Sequence, residues 1–160
     1  MAETIKKKEL RMTPEQITSL GKLGGAAILG LAAMGSGLGA GAAALAAIGS
    51  WKKCYAQNKL APFMLVAFIG APLSQTIYGF IVMLQIVAAA NKGTPAEALV
   101  GVGIFGGLAM GVSAWQQGKA GAAASDALAE TGQGMANYFM AIGIIETVAL
   151  FTLAFILKAI

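Results

Sequence analysis

The sequence predicts an all-α integral membrane fold with four transmembrane helices, arranged as two tandem helical hairpins. Of the 160 residues, 58% are apolar and 11% are charged, whereas charged residues make up roughly a quarter of a soluble domain. The apolar residues fall into four long segments separated by short polar breaks, at about 20–50, 61–90, 98–128 and 134–160. Each segment exceeds the ~20 residues that an α-helix needs to cross a bilayer. None shows the alternation of polar and apolar residues that is typical of a membrane β-strand. Each segment is therefore predicted to be an α-helix, in which the backbone N–H and C=O groups hydrogen-bond to one another within lipid.

Residues 1–19 form a polar N-terminal extension. Within it, Thr13 is a good helix cap, Pro14 suits the first helical position, and Gln16 stands where a capping box places Glu or Gln. The first helix is therefore expected to begin in water and to run into the membrane. We expect the extension to stay in the mature chain, because the apolar stretch from Leu20 to Ile48 is too long for a cleaved signal sequence.

The two halves of the chain repeat each other. The first hairpin is predicted over 20–90 and the second over 98–160, with a linker at 91–97. In the second apolar segment, Gln75 falls where the fourth segment has Glu146, at an offset of 71 residues. Because each repeat holds an even number of helices, the repeats are parallel, which argues against an inverted-repeat transporter.

Composition excludes several functions. The chain has no histidine and one cysteine, Cys54, so His–Cys zinc sites, Ser–His–Asp triads and internal disulfides are excluded. The net charge of +4 comes without a basic patch interleaved with aromatics, so no nucleic-acid partner is expected. No nucleotide-binding motif is present, and we expect the chain not to be an ATPase by itself and to need no cofactor.

Glycines alternate in the first predicted span, at Gly35, Gly37, Gly39 and Gly41. A dinucleotide fingerprint is rejected because no strand precedes them and no acidic residue follows at the required distance. Residues four apart share a helix face, so these glycines predict close packing between helices of one chain or of several.

Glu146 is the one acidic residue near the centre of an apolar segment, the one at 134–160. A lone carboxylate in the membrane is costly when charged, so it is expected to be functional or paired. The alternative is a protonated glutamate that joins two helices without carrying anything.

Other polar residues lie at a similar predicted depth: Ser74, Gln75, Tyr78, Gln116 and Gln117. Carboxylate, amide and hydroxyl oxygens suit hard cations. With one negative charge, the group would become neutral on binding one monovalent cation or one proton. The number of oxygens favours Na⁺ over H⁺, and a glutamine that only joins helices remains the alternative.

In these motifs the chain resembles the membrane-ring proteolipid (the c or K subunit) of vacuolar-type rotary ATPases. The motifs are 72–80, 144–147, the alternating glycines at 35–41, and Gln117 followed by Gly118 and Lys119. The resemblance covers about 20–160. It implies a homo-oligomeric ring, with the first and third spans of each chain inside, that rotates past a stator subunit bearing an arginine and is driven through central-stalk subunits.

The resemblance also implies site residues. In sodium-coupled members, the ligands match Gln75, Ser74, Gln117, Glu146 and a backbone carbonyl near Ala71. Tyr78 matches a residue that hydrogen-bonds the glutamate. Gln117 is chosen over Gln116 because Gly-Lys follows it, and because adjacent helical residues point about 100° apart.

The expected location is a membrane, the cell membrane if the source is prokaryotic. The family places both chain ends outside and the loops within each hairpin in the cytoplasm, although the distribution of lysines favours the opposite orientation. Two other functions stay open: an independent secondary cation transporter coupled through Glu146, and a structural pore or junction protein.

Overall fold

The computed structural model describes residues 12–160, which are helical apart from short connections. The α-helices are α1 (Pro14–Ala56), α2 (Leu65–Gly70), α3 (Ser74–Asn91), α4 (Ala96–Thr131) and α5 (Met135–Ala159), and a 3₁₀ turn (Ala71–Leu73) joins α2 to α3. Helix α1, the α2–α3 unit, α4 and α5 are each long and apolar enough to cross a membrane. The predicted all-α fold of four spans is confirmed, and no strand occurs within 12–160. The protein is an integral, multi-pass membrane protein.

Helix α1 is longer than its apolar segment at both ends. At its start, the Thr13 hydroxyl accepts the backbone N–H of Gln16 at 3.3 Å, and the Gln16 side chain accepts the backbone N–H of Thr13 at 2.8 Å. This is the predicted capping box, with Pro14 in the first turn. At its end, the helix continues through Lys52 and Lys53, because long polar side chains are good helix formers. Residues 1–11 of the predicted extension lie outside the described part.

The second span is not one regular helix, although its apolar sequence does not predict a break. Pro72 has no N–H to donate to the carbonyl four residues earlier, and its ring crowds that carbonyl. The chain accordingly tightens into the 3₁₀ turn at Ala71–Leu73 before α3 begins at Ser74. Ser74 and Gln75 therefore stand at the start of α3, directly after an irregular stretch of backbone at membrane depth.

Helices α1 and α4 make the closest contact in the bundle. A Cβ atom added to Gly35 would lie 2.1 Å from the carbonyl oxygen of Gly111, and one added to Gly118 would lie 2.0 Å from that of Gly39. Backbones approach this closely only where side chains are absent. Gly37 and Gly41 differ, because a Cβ there meets nothing within 4 Å inside the chain.

The remaining contacts complete a four-span bundle. The α2–α3 unit packs against α1, and α5 packs mainly against α4. A three-residue connection with two glycines at positive φ, Gly132 and Gly134, turns α4 back into α5, as helix ends commonly require. Many large apolar side chains stay exposed on the outside, among them Leu45, Phe105 and Phe155, as expected of a surface solvated by lipid.

Candidate functional site

Glu146 lies near the middle of α5, on the side that faces α3 and α4. Its neighbours along the helix, Ile144 and Val148, are 63% and 53% exposed and form the outer surface, whereas Glu146 is half-buried. The carboxylate is therefore sheltered by the bundle but lies close to its exposed apolar surface.

Two side chains from different hairpins donate to this carboxylate. The hydroxyl of Tyr78 in α3 donates to Oε1 at 2.6 Å, and the amide Nε2 of Gln117 in α4 donates to Oε2 at 3.1 Å. Hydrogen bonds to a charged acceptor are stronger than those between neutral groups. The carboxylate is thus held on both oxygens, once from each half of the chain.

Two glutamines lie behind Glu146. Gln75 and Gln117 are both fully buried, and Nε2 of Gln75 donates to Oε1 of Gln117 at 2.8 Å. Gln117 also donates to the backbone carbonyl of Ile142 at 3.3 Å. Gln116, one position earlier, is exposed and takes no part in these hydrogen bonds. Of the two adjacent glutamines in α4, Gln117 is therefore the one that belongs to this cluster.

Ser74 extends the cluster to the 3₁₀ turn. Its Oγ lies 3.1 Å from the carbonyl oxygen of Ala71 and 3.2 Å from Oε1 of Gln75. A hydroxyl carries one hydrogen, so Ser74 donates to one of these oxygens at a time. The backbone oxygen of Ala71 lies beside the site because the chain is a 3₁₀ turn there.

The predicted site residues thus form one continuous hydrogen-bonded series, Ala71, Ser74, Gln75, Gln117, Glu146 and Tyr78. Its groups are one carboxylate and several neutral oxygens. Within residues 12–160, no cluster of three or more His, Cys, Asp or Glu residues is available to a metal ion. Such a series can carry at most one negative charge, which matches one monovalent cation or one proton.

Ser113 belongs to the same region and was not among the predicted residues. It is buried, and its Oγ donates to the backbone carbonyl of Ile145 at 2.9 Å, which fixes α4 against α5 next to Glu146. Serine is common in apolar helices, so its presence alone gives no signal. Its spacing of four residues from Gln117, which puts both on one helix face, is the signal that would have found it.

Part of the chain is similar to a known family. Residues 100–157 match the family model of the C subunit of ATP synthase. The match covers most of the second hairpin, including Gln117 and Glu146. It does not extend to the first hairpin, where Ser74, Gln75 and Tyr78 lie. No curated protein and no solved structure matches the chain.

Proposed function

We propose that this protein is the ion-carrying subunit of the rotor ring of a V-type ATPase, and that it carries Na⁺ at Glu146 as the ring turns past a stator. Copies of the chain form the ring, and stator and central-stalk subunits are its partners. ATP hydrolysis takes place elsewhere in such a complex, and this protein supplies its ion-carrying part.

One observation supports this function above the others: a half-buried carboxylate at mid-membrane is gripped by donors from both hairpins. A charged group in this setting is costly, and neutralisation by a bound ion removes that cost. Because Glu146 lies close to the lipid-facing surface, a basic side chain on a stator can reach it and displace the ion. A stator side chain could not reach a carboxylate that faced the interior of the bundle in this way.

The arrangement of the two hairpins supports the V-type form. Both hairpins are in one chain, and the second carries Glu146 where the first carries Gln75. The family match falls on the hairpin that has the acid. The first hairpin retains a place at the site through Tyr78, Gln75 and Ser74, so it acts as a wall of the site instead of a second ion carrier.

The neutral oxygens support Na⁺ as the ion. A proton needs the carboxylate and one partner, and Tyr78 with Glu146 already supplies that pair. The two buried amides, Gln75 and Gln117, then provide more polar groups than a proton alone requires. To bind a cation, the Gln117 amide must turn its Oε1 toward the ion, which gives up the hydrogen bond that Oε1 accepts from Gln75. That oxygen, Oε1 of Gln75, the Ser74 hydroxyl and the Ala71 carbonyl then suit a hard cation.

The test is carbodiimide labelling of the purified ring across pH, with and without Na⁺, read by intact mass and site mapping. Carbodiimides attack a protonated carboxyl in an apolar setting. One label at Glu146 that Na⁺ suppresses is the expected result. A label suppressed only by raising the pH would make the protein a proton carrier. No label under any condition would overturn the ion-carrying function and leave a structural glutamate.

Oligomeric state separates the rotor from an independent transporter. A closed ring of many copies in mild detergent is expected, and native mass spectrometry would count them. A stable monomer or dimer that exchanges Na⁺ across vesicles unaided would favour a secondary transporter instead.

A further inference from the structure

A buried hydroxyl on α1 lies behind the proposed ion site. Ser36 is 1% exposed, and its Oγ has no hydrogen-bond partner among the described side chains and backbone. An unpaired hydroxyl in an apolar interior costs free energy, so buried hydroxyls are usually paired with protein or with ordered water. The Ser36 hydroxyl is therefore expected to have a hydrogen-bonding partner other than a protein atom.

The packing of α1 against the second span places Ser36 level with Gln75. A Cβ added to Gly79 would lie 2.8 Å from Cβ of Ala32, and a Cβ added to Gly39 would lie 3.0 Å from Cβ of Pro72. These two contacts run in opposite order along the two helices. Ser36 lies between Ala32 and Gly39, and Gln75 lies between Pro72 and Gly79, so the two residues share one level of the interface.

Gln75 has hydrogen-bonding capacity left on that level. Its side chain is fully buried, and its Nε2 donates one hydrogen to Gln117, whereas a primary amide carries two. A buried water needs two to four polar partners. The second amide hydrogen of Gln75 and the hydroxyl of Ser36 provide a donor and a group that both donates and accepts.

We propose that Ser36 and Gln75 hold one buried water between them, which makes Ser36 a positioning residue for Gln75. The inference rests on the proposed Na⁺ function. The bridging water hydrogen-bonds to Nε2 of Gln75 on the side of the amide away from the cation. The opposite end of the amide, Oε1, therefore stays turned toward Ser74 and the cation. Proton binding uses Glu146 and Tyr78, which the bridge does not touch, so Ser36 acts on Na⁺ and not on H⁺.

Ser50 provides a matched control. It is on the same helix, is 2% exposed, and likewise has an unpartnered Oγ. It lies fourteen residues further along α1, about 21 Å away at 1.5 Å per residue. Ser36→Ala and Ser50→Ala thus remove the same group from equally buried places, one at the level of the site and one far from it.

The experiment compares both variants with the unmodified ring by carbodiimide labelling of Glu146 at a series of Na⁺ concentrations. Ser36→Ala is expected to raise the Na⁺ concentration for half-protection by about three- to tenfold, the loss of one neutral hydrogen bond. It should leave the pH dependence of labelling without Na⁺ unchanged. Ser50→Ala should match the unmodified ring in both. If Ser36→Ala and the unmodified ring need the same Na⁺ concentration for half-protection, the proposal is overturned while the Na⁺ function stays intact.

Two further outcomes are decisive. If Na⁺ fails to protect even the unmodified ring, the proposed Na⁺ function fails and the role of Ser36 fails with it. If Ser36→Ala does not assemble, a cryo-EM map of the unmodified ring that resolves ordered water replaces the titration. Density for a water within hydrogen-bonding distance of Ser36 Oγ and Gln75 Nε2 would support the proposal, and continuous apolar packing there would overturn it.

Discussion

Tyr78 donates a hydrogen bond of 2.6 Å to Glu146 across 68 residues of the chain, and thereby ties the first hairpin to the acid of the second. The bond covers one oxygen of the half-buried carboxylate. Tyr78→Phe removes this hydrogen bond and keeps the aromatic side chain. Since hydrogen bonds to charged groups contribute about 1.5–3 kcal/mol, we expect Glu146 to label with carbodiimide roughly tenfold faster at neutral pH. Tyr55→Phe is the control, because Tyr55 is 68% exposed, and an equal effect of both would contradict the role of Tyr78.

Removing the acid tests the centre of the site. Glu146→Gln preserves the volume, and its single amide oxygen can still accept from either Tyr78 or Gln117, so the ring is expected to assemble. It should bind no cation, give no carbodiimide label in the membrane, and abolish ion-coupled turnover of the reconstituted complex. Full coupled pumping by this variant would show that Glu146 is not the carrier.

The two adjacent glutamines of α4 allow a matched comparison. Gln117 is fully buried and contacts Glu146, whereas Gln116 is exposed. Gln117→Ala is expected to weaken Na⁺ protection of Glu146 by about tenfold or more, because it removes a proposed ligand and the group that accepts from Gln75. Its effect on proton-dependent labelling should be smaller, and Gln116→Ala should change neither. Equal loss of Na⁺ and H⁺ responses in Gln117→Ala would remove the argument for sodium.

The contact between α1 and α4 predicts a stability difference. A Cβ at Gly39 would lie 2.2 Å from the carbonyl oxygen of Ala114, whereas a Cβ at Gly101 meets nothing within 4 Å. Gly39→Ala should lower stability by about 1–3 kcal/mol, because the backbones must separate. Gly101→Ala should leave it unchanged or raise it by up to about 1 kcal/mol through helix propensity. Thermal unfolding in detergent measures both, and equal midpoints would contradict the packing described.

Much of the fold followed from the sequence because lipid imposes strong rules. Length and hydropathy identify spans, and the capping box at Thr13 identified where α1 begins. The break at Pro72 was not predicted, since proline within a span is tolerated where neighbouring groups satisfy the freed backbone. Helix ends were also missed, because α1 continues through Lys52 and Lys53 without a stop signal.

The site was partly predictable for a different reason. Polar residues are conspicuous within apolar segments, so Glu146, Gln75 and Gln117 stood out. Their relative depth depends on the positions of α1, α3, α4 and α5 along their helix axes. The close backbone contacts at glycines set those positions. Ser36 and Ser113 were missed because their importance comes from the level at which they lie, and sequence pattern alone does not give that level.

The place where the two hairpins join gives the site a fixed composition. Tyr78, Ser74 and Gln75 come from one hairpin and Glu146 from the other, and a short connection between α3 and α4 links them covalently. A covalent link holds its two parts at a high effective concentration and in a one-to-one ratio. Every copy of the acid therefore arrives with its own amide and hydroxyl partners, however crowded or dilute the surrounding membrane is. Two separate hairpins would have to find each other by diffusion, and many would pair acid with acid.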